Sequence, residues 1–87
     1  MINALQAIRT QGRKVRQMQN NIAFLLQNSP DDKALFTAAY YEAFGLVQTV
    51  EDYASRYARI YELWQEIDPI RTAAHKLYKS IENILNN

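Results

Sequence analysis

Apolar residues return every seven positions from Phe36 to Ile67. Phe36, Ala43, Val50, Tyr57 and Trp64 form one row, and Ala39, Leu46, Tyr53, Ile60 and Ile67 form a second, three positions later. Such a/d spacing, sustained without a slip, predicts a long helix packed along helical partners. Two prolines, Pro30 and Pro69, divide the chain. Ser29 is suited to cap a helix that has Pro30 at its first position and Asp31 and Asp32 in its first turn, where the helix dipole favours anions. Asp68 is suited to cap the next helix, with Pro69 again first. The pattern therefore predicts helices over residues 2–27, 31–67 and 69–85 of one helical domain spanning 1–87. The fold class is all-α, an antiparallel bundle of three helices with a long central helix. The alternative is a compact four-helix bundle with a break near Gly45–Thr49, where Thr49 and Asp52 form a weak capping pair.

The outer helices carry their own stripes. Leu5, Ile8, Val15, Ile22 and Leu26 recur along the first, with Met18 and Leu25 beside them, and Ile70, Ala74, Leu77, Ile81 and Ile84 along the third. Gly12 falls on the first stripe, at a cost of about 1 kcal/mol relative to Ala in a helix. It either admits a close neighbour or marks a bend. Short connections make sequential helices antiparallel neighbours. Folding about residues 29–30 sets Arg16 near Glu42 and Arg9 near Glu51. Folding about Asp68 sets Arg71 near Glu66 and Arg56 near Glu82. A central helix of about 55 Å, at 1.5 Å per residue, outruns both partners. The Phe36 end is then left with one partner along much of its length, and a second copy of the chain is expected to cover it. A homodimer follows from that geometry.

Composition narrows the class. The chain has 87 residues and no Cys, so no disulfide or thiolate metal site reinforces its core. No run of about 20 apolar residues is present, so no membrane-spanning helix is expected, and the N-terminus lacks the pattern of a signal peptide. A cytoplasmic protein without a membrane partner is expected. Formal net charge is only +1, but it is segregated. Residues 1–28 hold Arg9, Arg13, Lys14 and Arg16 with no acid; residues 29–68 are net acidic; residues 69–87 are again net basic.

Candidate chemistry is sparse. One His and no Cys leave no metal-binding motif, and neither a Glu-x-x-His pair nor a glycine-rich phosphate loop is present. No cofactor, metal site or catalytic set is expected, and the chain reads as no enzyme. The stretch Ala73–Ser80 around His75 is faintly similar to the phosphoacceptor stretch of histidine phosphotransfer domains. It lacks the glycine usual there, and phosphotransfer is set aside. Tyr53, Tyr57 and Tyr61 are spaced i, i+4, i+8, which makes one ridge on a continuous helix. With Tyr41 they are the candidate protein-binding residues, since Tyr supplies large rigid contact area with a polar tip. Packing is the competing use of the same rings. Arg9, Arg13 and Arg16 share a face of the first helix with Asn20, and Lys14 lies nearby. Together these four cations are the candidate nucleic-acid-binding set, unless they simply pair with acids of the second helix.

The expected function is a small non-enzymatic protein-binding module. It acts as inhibitor, adaptor or chaperone by occupying a partner protein's surface, and its small size is shared by accessory proteins of mobile elements. A nucleic-acid-binding regulator and a structural subunit of a helical assembly are the alternatives.

Overall fold

The computed structural model describes residues 3–87. The expected first helical residue, Ile2, lies outside them. The described residues form three helices: α1 (Ala4–Asn28), α2 (Lys33–Tyr57) and α3 (Tyr61–Asn86). All three pack on one another as an all-α three-helix bundle of 43 × 20 × 18 Å. Residue pairs fix the directions. Gln11 meets Leu46, and Tyr40 meets Tyr78 while Glu51 meets Arg71, so α2 runs antiparallel to both neighbours. Arg9 meets Glu66 and Gly12 meets Ile70, so α1 and α3 run parallel.

The α1–α2 boundary follows the expected residues with a shift. Asn3 caps α1, its Oδ1 accepting from the Leu5 amide at 2.8 Å. The Ser29 amide closes the end of α1 by donating to the Leu25 carbonyl. Asp32, rather than Ser29, caps α2, its carboxylate accepting from the Leu35 amide at 3.1 Å. Pro30 instead sits within a reverse turn that the Asp32 amide closes on the Ser29 carbonyl at 3.1 Å. That is the turn position its fixed φ suits.

The second boundary differs from the expectation. The chain reverses at Ala58–Ile60, nine to eleven residues before Pro69, and Pro69 lies inside α3. Neither the break at Gly45–Thr49 nor a long central helix is present: α2 passes through Gly45 and ends at Tyr57. Burial decides between the alternatives. A proline inside a helix costs about 3 kcal/mol. A central helix continued to Ile67 would run past the end of α1 and strip partners from Leu63, Trp64 and Ile67. Ile67 alone, 0% exposed, is worth about 1.5–3 kcal/mol when buried, and Leu63 and Trp64 add to it. With 25, 25 and 26 residues, the helices instead overlap along their whole length. The cost of Pro69 is limited because its side of α3 faces solvent.

The core is continuous. Ile8, Val15, Met18 and Ile22 come from α1, Phe36, Ala39, Ala43, Val50 and Ala54 from α2, and Ile67, Ala74, Leu77 and Ile81 from α3. The heptad rows therefore hold through Val50, but Ile60 is 45% exposed at the corner. Phe36, expected to need a second chain, is 1% exposed within this one. The geometric reason for a homodimer does not arise. Gly12 lets α1 approach α3: a Cβ there would meet Ile70 Cδ1 at 2.9 Å. Among the described residues Gln11 is the buried polar one, and its amide donates to the Leu46 carbonyl across the α1–α2 contact.

Candidate functional site

Three surface features carry chemistry, and helical periodicity positions each. The first is aromatic, on the face shared by α2 and α3. Tyr40 and Tyr78 project from facing helices and stack at 4.8 Å with a 28° interplanar angle. Their hydroxyls hydrogen-bond at 2.5 Å. Tyr41 meets Tyr40 edge-on at 5.6 Å, and Phe44 tilts against Tyr78 at 5.9 Å. The bond to Tyr78 favours the neutral phenol, and with partial burial it pushes the Tyr40 hydroxyl up to about 12. The inner pair is thus locked, while the outer rings face solvent: Tyr41 is 68% and Phe44 43% exposed.

One to two turns along the same face lies a charged cluster. Glu51 Oε1 accepts from Arg71 Nε at 2.6 Å and lies 2.6 Å from His75 Nε2. The hydrogen bond from Arg71, then that from His75, holds the Glu51 carboxyl below the usual carboxylate range. All three side chains remain substantially exposed. His75 has a carboxylate partner, but no nucleophile or metal-ligand set surrounds it: among the described residues no group of three or more His, Cys, Asp or Glu is placed to hold a metal ion. This cluster was not visible in the sequence, because a corner at Asp68 would have placed Arg71 beside Glu66.

The third feature is a groove of about 530 Å³ between α1 and α3. Arg9, Arg13 and Arg16 line one wall with Gln19. Glu66, Pro69, Ile70 and Ala73 line the other, over a floor at Gly12. Arg9 pairs with Glu66 at 2.9 Å, and Arg13 donates to the Thr10 hydroxyl at 3.0 Å. Among the described residues no ion pair forms to Arg13, Lys14 or Arg16. The four expected pairings, Arg16–Glu42, Arg9–Glu51, Arg71–Glu66 and Arg56–Glu82, are replaced. The arginines of α1 face α3, and moving the corner from Asp68 to Ala58–Ile60 shifts which residues of α2 and α3 are opposite. Arg71 reaches Glu51, Arg56 pairs with Asp52, and Glu82 pairs with Lys79 within α3.

The fold distributes the sequence-selected residues over separate surfaces. Tyr41 joins Tyr40, Phe44 and Tyr78. Tyr53 and Tyr57 tilt against each other at 6.3 Å and pack partly on the core. Seven residues beyond Leu46, Tyr53 lies on the α1 side of α2. Tyr61 stands past the corner on the first turn of α3, 68% exposed. The i, i+4, i+8 ridge required a continuous helix, and the corner splits it. Of the cations, Arg9, Arg13 and Arg16 share the α1–α3 groove, whereas Lys14 lines a groove on the opposite side with Glu42 and Thr49. Phe44 and Tyr78 belong to the aromatic cluster but were not singled out as binding residues. The available signal was the spacing of Tyr41 and Phe44, three apart on one helix face.

Among the described residues, no helix is long and apolar enough to cross a membrane. Comparisons with protein-family models, curated proteins and solved structures found no match.

Proposed function

We propose that the chain is a small non-enzymatic protein-binding module, and that it engages its partner through the α2–α3 face. The observation that supports this reading is the aromatic cluster. Tyr41 and Phe44 project outward from a stacked, hydrogen-bonded Tyr40–Tyr78 base. Outward aromatics held by rigid neighbours lose little conformational freedom on binding, which is how a few residues come to dominate an interface. The Glu51–Arg71–His75 cluster beside them supplies a polar margin, the arrangement of apolar centre and charged rim common at protein interfaces. An inhibitor, adaptor or chaperone role is consistent with this mode of action, which uses surface occupancy and no reaction.

Photo-crosslinking tests the reading. Gln48 is exposed, seven residues from Tyr41 on the same face, and Gln17 is exposed on α1. A benzophenone side chain at position 48 in the native cells is expected to yield one discrete adduct that position 17 does not. The Tyr41→Ala/Phe44→Ala variant is expected to abolish it. An adduct of twice the chain mass would identify the partner as a second copy. Equal adducts from both positions, or an adduct indifferent to the double substitution, would refute the assignment of this face.

A further inference from the structure

We propose that the α1–α3 groove is a phosphate-backbone site, in which Arg13 and Arg16, with Arg9 held at the rim by Glu66, grip the phosphodiester chain of a nucleic-acid duplex. The first ground is charge that the fold leaves unused. From Ala4 to Asn28, α1 carries Arg9, Arg13, Lys14 and Arg16 and no acid. Only Arg9 finds a carboxylate among the described residues, and it does so on the groove's far wall. Arg13 and Arg16 are exposed. The acids of α2 that could have neutralised them lie on other faces: Glu42 in the α1–α2 groove, and Glu51 occupied by Arg71 and His75.

Shape is the second ground. Ile70 packs onto Gly12 and closes the seam there, so the arginines stand along a groove with an uncharged base of Gly12, Ile70 and Ala73, in which Glu66 is the one carboxylate among the described residues. Guanidinium groups match phosphate oxygens bidentately. From Arg9 to Arg16 the helix rises about 10.5 Å at 1.5 Å per residue. The strand winds around its axis, so successive phosphates are farther apart than the axial rise of about 3.4 Å, and this run matches a series of about two phosphates rather than one. Among the described residues, no aromatic side chain lines the groove. Single-strand binders stack bases on aromatic rings; a groove without them contacts backbone alone and favours a duplex, with no sequence preference. Lys14, on the opposite groove, takes no part. The site is separate from the α2–α3 face, so its failure leaves the protein-binding reading untouched.

Fluorescence anisotropy with a labelled DNA duplex of about 20 base pairs tests the proposal. With about two phosphates neutralised, by Arg13 and Arg16, log affinity falls with log salt at a slope near −1.8, a loss of about 12-fold between 50 and 200 mM. Arg13→Gln/Arg16→Gln is expected to weaken binding at least about tenfold and to bring the slope to near zero. Lys33→Gln/Arg59→Gln removes the same charge away from the groove and is expected to change affinity less than about twofold. The proposal is overturned by any of three results: no binding of the parent at low salt, equal losses in both double variants, or preference for a phosphoserine peptide over the duplex.

Discussion

Gly12 and Gly45 sit inside helices, yet different responses to alanine are expected of them. At Gly45 a Cβ meets nothing within 4 Å. Gly45→Ala therefore gains only the entropic advantage of alanine in a helix, about 0.5–1 kcal/mol. At Gly12 the same gain is opposed by a contact of 2.9 Å to Ile70 Cδ1 and one of 3.2 Å to Ile70 Cγ1. Either Ile70 leaves its rotamer or α1 and α3 separate slightly. Overpacking of this kind costs about 1–3 kcal/mol, so Gly12→Ala is expected to end near neutral or about 2 kcal/mol less stable. The two variants should differ by about 1–3 kcal/mol. Thermal melting followed by circular dichroism resolves this, because about 1 kcal/mol shifts the midpoint of a domain this size by about 4–8 °C. Ile70→Val supplies the internal control. It deletes the clashing Cδ1, so its cost should be smaller in the Gly12→Ala background than in the parent, with a coupling of at least about 0.5 kcal/mol. Equal stabilisation by Gly12→Ala and Gly45→Ala, with no coupling to Ile70, would show that α1 and α3 do not approach as described.

Three further outcomes are expected. Ile67→Ala should cost about 2–5 kcal/mol, whereas Ile60→Ala, at an exposed corner position, should cost under about 1 kcal/mol; reversed urea midpoints would restore the uninterrupted heptad. Pro69→Ala should raise stability by about 1–2 kcal/mol, because it returns the amide donor missing opposite the Gln65 carbonyl and removes the ring clash. A loss of stability would instead place Pro69 at a helix start. For Glu51, the folded carboxyl titrates below its ordinary value of 4.5 because Arg71 and His75 hold the charged form. Its contribution is therefore complete above that value and is lost as pH falls through the folded pKa. Glu51→Gln should lower the urea midpoint near neutrality and flatten its acid dependence; an acid limb identical to that of the parent would count against the cluster.

Much of the bundle was legible in the chain itself. Ile8, Val15 and Ile22, Phe36, Ala43 and Val50, and Ala74, Leu77 and Ile81 are buried where their spacing placed them, because a helix period fixes which side chains share a face. The first boundary was also legible, since Asn28–Asp32 concentrates residues with strong turn and capping chemistry. The second corner was not. Ala58-Arg59-Ile60 contains no glycine, proline or side-chain cap, while Pro69 gave a strong local signal at a place where the helix continues. A count of sevens is blind to chain reversal, so Tyr57 and Trp64 kept the repeat across the corner. Local propensity alone favoured a break at Asp68–Pro69. Only the tertiary structure could weigh about 3 kcal/mol for a proline in a helix against the burial of Ile67, Leu63 and Trp64 beside α1 and α2. That same choice of corner decided the surface. It set Glu51 beside Arg71 and His75, and Tyr40 against Tyr78. It also separated Tyr61 from Tyr53 and Tyr57. Periodicity determines which residues face inward on each helix; which exposed residues meet across helices depends on where the chain turns, and that is fixed by burial summed over the whole molecule.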